Sequence, residues 1–127
     1  MEHLLREATY NSPKVDFNPS TGELLIEGRS IPEHANLFYN DLIEWTRRYA
    51  ESLPEKTVMS IKVDYLNSSS HKFLLEVFEK LETLVKQEKS ICVNWYYEED
   101  DEEMKETGNE YKSTLNLPFN IIEVEEL

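Results

Sequence analysis

Asp64-Tyr65-Leu66-Asn67-Ser68-Ser69-Ser70 joins the most strand-like run of the chain to its strongest amphipathic helix. Before it, Thr57 to Leu66 is rich in β-branched and apolar residues. Met59, Ile61, Val63 and Tyr65 alternate there with Val58, Ser60, Lys62 and Asp64, the period of a strand with one buried face. After it, Phe73, Leu74, Val77, Phe78, Leu81, Leu84 and Val85 fall on one face at helical spacing. The spacing predicts a helix to about Glu88. Between the two sit an Asn and three hydroxyls, with no Gly or Pro. Such oxygens accept hydrogen bonds from the free N–H groups of a first helical turn. The stretch reads as a strand, a short turn and a helix N-terminus.

Two readings of the hydroxyls stand side by side. In one, a serine caps the helix and its neighbours are solvated. In the other, the turn is a phosphorylation switch. A phosphate would bring about −1.5 to −2 charges to the positive end of a helix dipole. The fold would accept it, and the local surface would change sign. Composition alone does not choose between them. Leu75 lies off the apolar stripe, either as a partner contact or as an ordinary exposed Leu. His71 falls in the first helical turn, where it would either meet a phosphate or stand as a surface histidine.

Outward from this stretch, Val15 and Phe17 alternate with Lys14 and Asp16, and Asn18-Pro19-Ser20-Thr21-Gly22 is a turn signal before a second strand, Glu23 to Gly28. The pair reads as an antiparallel hairpin. Ser30 and Glu33 have capping-box spacing around Pro32. They predict a helix to about Ser52 with a buried stripe of Ala35, Phe38, Leu42, Trp45 and Tyr49. Ser90 to Tyr97 alternates as another strand, with Cys92 read as a small buried residue. Met104 to Leu115 reads as a short polar helix interrupted by Gly108, and Phe119 to Glu126 as a last strand. Residues 1–12 are weakly patterned and read as an N-terminal arm, with 13–127 as the domain. The expected order is β-β-α-β-α-β-α-β: a single α/β domain whose mixed sheet has an antiparallel hairpin followed by parallel strands.

The chain has 127 residues, 39% hydrophobic, and carries a net charge of −13. It is long enough for one real core. Residues 91–127 hold 11 acids against two bases and dominate the field. Such a surface repels nucleic acid and anionic lipid and favours a basic partner. No apolar run is long enough to span a membrane. The start, Met1-Glu2-His3-Leu4-Leu5-Arg6-Glu7, lacks a signal-peptide pattern. The single Cys92 forms no internal disulfide. Together these features fit a cytoplasmic protein.

The three histidines are isolated at positions 3, 34 and 71 and make no zinc pattern. No Gly-rich phosphate loop follows a strand. The run Glu98-Glu99-Asp100-Asp101-Glu102-Glu103 neither alternates its acids nor contains the Gly of a calcium loop. It reads as a solvated loop leading into a helix N-terminus. No metal, no cofactor and no enzyme is expected from these residues.

Several motifs taken together resemble one family. They are Gly28-Arg29-Ser30-Ile31-Pro32-Glu33, Trp45, the Leu66-Asn67-Ser68-Ser69-Ser70 turn, Val93-Asn94-Trp95-Tyr96-Tyr97 with its acidic continuation to Glu102, then Met104, Glu106, Gly108, and Leu117-Pro118-Phe119. The chain resembles the SiaC-type regulatory phosphoproteins, bacterial proteins of STAS-like fold similar to anti-sigma-factor antagonists, over roughly residues 13 to 122. That resemblance implies a switch without catalysis. It implies phosphorylation of the hydroxyl residue right after Leu-Asn. That residue is Ser68 here, with Ser69 and Ser70 as alternatives, and the best-known pattern has Thr. A serine/threonine kinase of anti-sigma-factor-kinase type would add the phosphate and a PP2C-type phosphatase would remove it. The unphosphorylated form would bind and activate a diguanylate cyclase, raising cyclic di-GMP and favouring biofilm. The alternative is a partner-switching protein acting on transcription. The expected partner-binding residues are Tyr65, Asn67, Ser68, Ser69, His71, Lys72 and Leu75.

Overall fold

The computed structural model describes residues 1–127. In chain order it runs β1 (Leu4–Arg6), β2 (Lys14–Asn18), β3 (Glu23–Ser30), α1 (Ala35–Glu51), β4 (Lys56–Leu66), α2 (Ser68–Lys86), β5 (Ser90–Glu98), α3 (Glu102–Thr114) and β6 (Phe119–Val124). The expected order is present, with one strand added in front. All six strands form one sheet in the order of the chain. β1, β2 and β3 pair antiparallel, and β3 to β6 pair parallel. Each parallel step needs a crossover, and one helix supplies each.

Crossovers between parallel neighbours are right-handed in nearly every protein, so successive ones fall on the same face. Aromatic contacts identify that face. Phe17 packs on Trp45 of α1, Phe119 on Phe78 of α2, and Trp95 on Tyr111 of α3. The core between sheet and helices includes Ile26, Met59, Ile61, Val93 and Leu81, all fully buried. Each such side chain contributes about 1.5–3 kcal/mol by leaving water. The other face carries no helix, and Leu25, Ser60, Lys62, Asn94 and Tyr96 are half-buried there.

Several local expectations are corrected. Ser30 does not cap α1. It ends β3 with its side chain buried, and α1 begins five residues later without a side-chain cap. The Ser30–Glu33 spacing therefore does not act as a capping box. Tyr39 takes the buried position expected of Phe38, which packs half-buried at the core margin. Cys92 is half-buried on the uncovered face of the sheet rather than in the core. Gly108 does not interrupt α3, which runs through it. Its missing side chain lets the Trp95 ring lie against the helix.

Within the segment read as an arm, Leu4–Arg6 pairs with β2 as the edge strand. Leu4 is buried, and the Trp45 indole N–H donates to the Glu2 carbonyl at 2.8 Å. His3 Nε2 lies 2.5 Å from an Asp16 carboxylate oxygen. Three residues are too few to show a period in the sequence, so pairing alone reveals this strand.

Candidate phosphorylation and docking site

The last residues of β4 leave the regular ladder. Gly28 faces Val63, but Arg29 faces Tyr65, so Asp64 is an extra residue bulged out of the strand. A bulge re-aims the side chains that follow it. Asp64 and Tyr65 are both exposed, and Leu66 turns back into the core. This corrects the alternation that placed Tyr65 with Met59, Ile61 and Val63. The bulge exposes a tyrosine that strict alternation would bury.

Asn67 then caps α2. Its backbone is extended, and its side-chain oxygen accepts the Ser70 amide at 2.9 Å. The cap is therefore the Asn, not a serine. Its own N–H donates to the Ser30 carbonyl at 3.0 Å, fastening the turn to the end of β3. Ser68, Ser69 and Ser70 are the first three helical residues. Ser68 and Ser69 are exposed, whereas Ser70 is fully buried. The Ser70 hydroxyl donates to the Ser30 carbonyl at 3.1 Å, and its oxygen lies 2.8 Å from the Ser30 hydroxyl. Ser30 Oγ in turn lies 2.7 Å from the Tyr39 hydroxyl. The three adjacent serines thus have two environments: two hydroxyls face solvent, and one belongs to a buried chain joining α2, β3 and α1.

The remaining residues of the expected set divide across the turn. On one side, His71, Lys72 and Leu75 line a groove of about 370 Å³ between α2 and α3, with Ser68, Glu110 and Tyr111. Leu75 is half-buried and packs against the core, so it is the wall of this groove and not an isolated exposed Leu. Tyr111 was not legible as a site residue. Its hydroxyl donates to the His71 carbonyl at 2.9 Å, and the two rings stack with centroids 6.1 Å apart. That contact holds α3 against the first turn of α2. On the other side, Tyr65 lines a recess with Arg29, Ile31 and Asp64, and a small cleft with Asp101 and Glu103 joins it to His71. In the acidic run, Asp101 caps α3 by accepting the Met104 amide at 3.1 Å, and Glu102 and Glu103 occupy the first turn.

Burial raises the Tyr39 phenol above its ordinary value of 10.0, against the smaller lowering effect of its bonds to Ser30 and Ser70. Burial also raises Tyr111, helped by Tyr39 and Glu110. Both are therefore neutral donors around the turn at physiological pH. Unfolded tyrosines ionise first as pH rises, so above about pH 10 the unfolded state holds fewer protons and stability falls. Below that value the contribution is fully present. The urea midpoint is expected to decline above about pH 10, and the decline to flatten in Tyr39→Phe/Tyr111→Phe. An equal slope in that double variant would show that other groups control the alkaline loss.

A one-sided mixed sheet with three crossover helices, and a capped hydroxyl turn at the end of a central strand, is the STAS-like arrangement expected from the sequence. The model of the SiaC family of regulatory phosphoproteins matches residues 6–124. The chain belongs to that family. A protein of Pseudomonas aeruginosa strain UCBPP-PA14 is 24% identical over 121 residues, covering 95% of this chain and 96% of its own length. The fold matches crystalline apo-SiaC from Pseudomonas aeruginosa with a TM-score of 0.86 and 24% identity, over 96% of this chain and 99% of that one. It also matches a chain in the structure of the diguanylate cyclase SiaD in complex with its activator SiaC, from the same species. There the TM-score is 0.86 and the identity 23%, over 95% of this chain and 99% of that one.

Proposed function

We propose that this chain is a non-catalytic, cytoplasmic switch that binds and activates a diguanylate cyclase while Ser68 is unmodified, and releases it once Ser68 is phosphorylated. A serine/threonine kinase of anti-sigma-factor-kinase type adds the phosphate, and a PP2C-type phosphatase removes it. The observation that carries the reading is the exposed Ser68 hydroxyl at the first position of a capped helix, in a chain of a regulatory phosphoprotein family. The cyclase complex of the related activator supports the partner class.

The local physics is consistent with a switch that acts without refolding. A dianion at a helix N-terminus is stabilised by the dipole and by free amides. The turn beneath it is pinned by Asn67 and Ser70. A partner seated over the turn would instead strip water from the phosphate dianion, at about 3 kcal/mol or more. That is a loss of roughly a hundredfold in affinity. Ser69 is the accessible alternative, and the burial of Ser70 argues against its use.

Intact mass and site mapping on protein purified from its own cells tests the first half. A single phosphate on Ser68 is expected. Pull-down with Ser68→Ala tests the second half and is expected to retain a diguanylate cyclase. Recovery of an anti-sigma-type kinase and its sigma factor, with no cyclase, would favour control of transcription instead. No phosphate under any growth condition, and none after incubation with extract and ATP, would leave the turn as a helix cap.

A further inference from the structure

The recess on the far side of the turn has a composition that the groove lacks. Its volume is about 430 Å³, and Arg29, Ile31, Asp64 and Tyr65 line it. Tyr65 is 54% exposed, because of the bulge at Asp64. Tyr10 is 85% exposed and sits under the Arg29 guanidinium, 5.7 Å from ring centroid to Cζ. Two exposed tyrosines around an arginine are the residue types that dominate binding energy at protein interfaces. Arg29 takes part in none of the ion pairs of the fold and in no side-chain hydrogen bond. In a chain of net charge −13, this guanidinium makes no ion pair even with Asp64, which lines the same recess.

We infer that the Arg29–Ile31–Asp64–Tyr65 recess is the docking surface for a segment of the cyclase partner that carries one carboxylate beside an apolar side chain. This rests on the cyclase reading given above. The Arg29 fork matches a carboxylate bidentately. Ile31 and the Tyr65 ring supply the apolar wall, and Tyr10 backs the Arg29 guanidinium. Asp64 at the rim opposes a second negative charge, so the segment carries one acid and not an acidic run. The recess lies at the strand ends that lead into the switch turn. Arg29 faces Tyr65 in register, and Asn67 is tied to Ser30 by a backbone hydrogen bond. Ser68 lies three residues from Tyr65. Ser68 itself lines the groove on the other side of the turn, so a partner gripping the recess has to cross the turn to be sensitive to a phosphate there.

The test measures cyclase affinity for the full chain, unphosphorylated, against Arg29→Glu and Tyr65→Ala. The cyclase is the one that Ser68→Ala retains from the protein's own cells. Lys86→Glu, at the other end of α2, is the charge control. Both recess variants are expected to bind roughly tenfold or more weakly and the control as wild type. All variants should unfold at the wild-type temperature, since both substituted side chains are exposed. Phosphorylation of Ser68 by the kinase should persist in each. Wild-type affinity in both Arg29→Glu and Tyr65→Ala overturns the docking surface while leaving the switch intact. Loss in Tyr65→Ala with wild-type affinity in Arg29→Glu overturns the carboxylate. If Ser68→Ala retains no cyclase at all, the functional reading fails, and the recess loses the partner assigned to it.

Discussion

Gly108→Leu is expected to cost about 3 kcal/mol or more of folding stability, out of a total of about 5–15 kcal/mol for a domain of this kind. A Cβ at this position would lie 2.5 Å from Trp95 Cδ1 and 2.6 Å from its Nε1. The ring has little room to yield. Trp95 is fully buried, its N–H donates to the Met104 carbonyl at 3.0 Å, and Tyr111 and Phe119 pack around it. Moving the indole strands a buried donor, a further cost of about 1–3 kcal/mol. Gly108→Ala is the sharper control, because two effects oppose. Helix propensity favours Ala by about 1 kcal/mol, and overpacking costs about 1–3 kcal/mol. The contact should win, and the urea midpoint should fall at unchanged slope. A midpoint raised by Ala would mean that α3 lifts off the ring cheaply, and the large loss for Leu would not follow. The same displacement should carry Tyr111 away from the His71 carbonyl. Amide exchange in the first turn of α2 is then expected to accelerate along with the loss of stability.

Trp95 and Gly108 also show what could be read in advance. The alternation of β5 and the helical stripe of α2 are apolar patterns with a fixed period, and both elements formed within about two residues of expectation. A glycine in a helical sequence has no such single meaning. Its low propensity suggests a break, and only the facing Trp95 ring reveals that the position is a packing contact. Ser30 is the same kind of case. Its spacing to Glu33 matches a capping box, yet β3 continues to Ser30 and buries the hydroxyl where Ser70 and Tyr39 satisfy it. Local pattern could not supply partners that lie 9 and 40 residues away.

The candidate site was legible as a turn and not as a surface. The hydroxyls and the helix start follow from residue type, whereas the cap is Asn67 and not the serine expected. The placing of Tyr65 at the surface beside Arg29 does not follow from residue type. It depends on the Asp64 bulge, which is a register event between β3 and β4. Arg29 and Tyr10 are distant from Ser68 in sequence and carry no periodic signal. The pairing of β3 with β4 brings Arg29 opposite Tyr65, and Tyr10 lies against Arg29.

The second large effect separates residues two positions apart. Ser70→Asp is expected to cost about 3–5 kcal/mol, the penalty for an unpaired charge in a buried site. Ser68→Asp is expected to stay within about 0.5 kcal/mol of wild type, because an acid in the first turn suits the dipole. Both substitutions should abolish cyclase retention, for different reasons, so a pull-down alone would make them look alike. Thermal unfolding distinguishes them. Ser70→Asp should melt well below wild type, because the carboxylate replaces a hydroxyl that is enclosed with Ser30 and Tyr39. Ser68→Asp should melt with wild type. Ser70→Ala gives the intermediate case, losing about 1 kcal/mol for the bonds to Ser30 while leaving Ser68 phosphorylation in place. If Ser70→Asp melted at the wild-type temperature, the hydroxyl chain would not be closed to solvent. Ser70 would then regain equal standing with Ser68 as an acceptor of phosphate. If Ser68→Asp melted low, the turn would be coupled to the core, and phosphorylation would act by loosening the domain rather than by changing the sign of its surface.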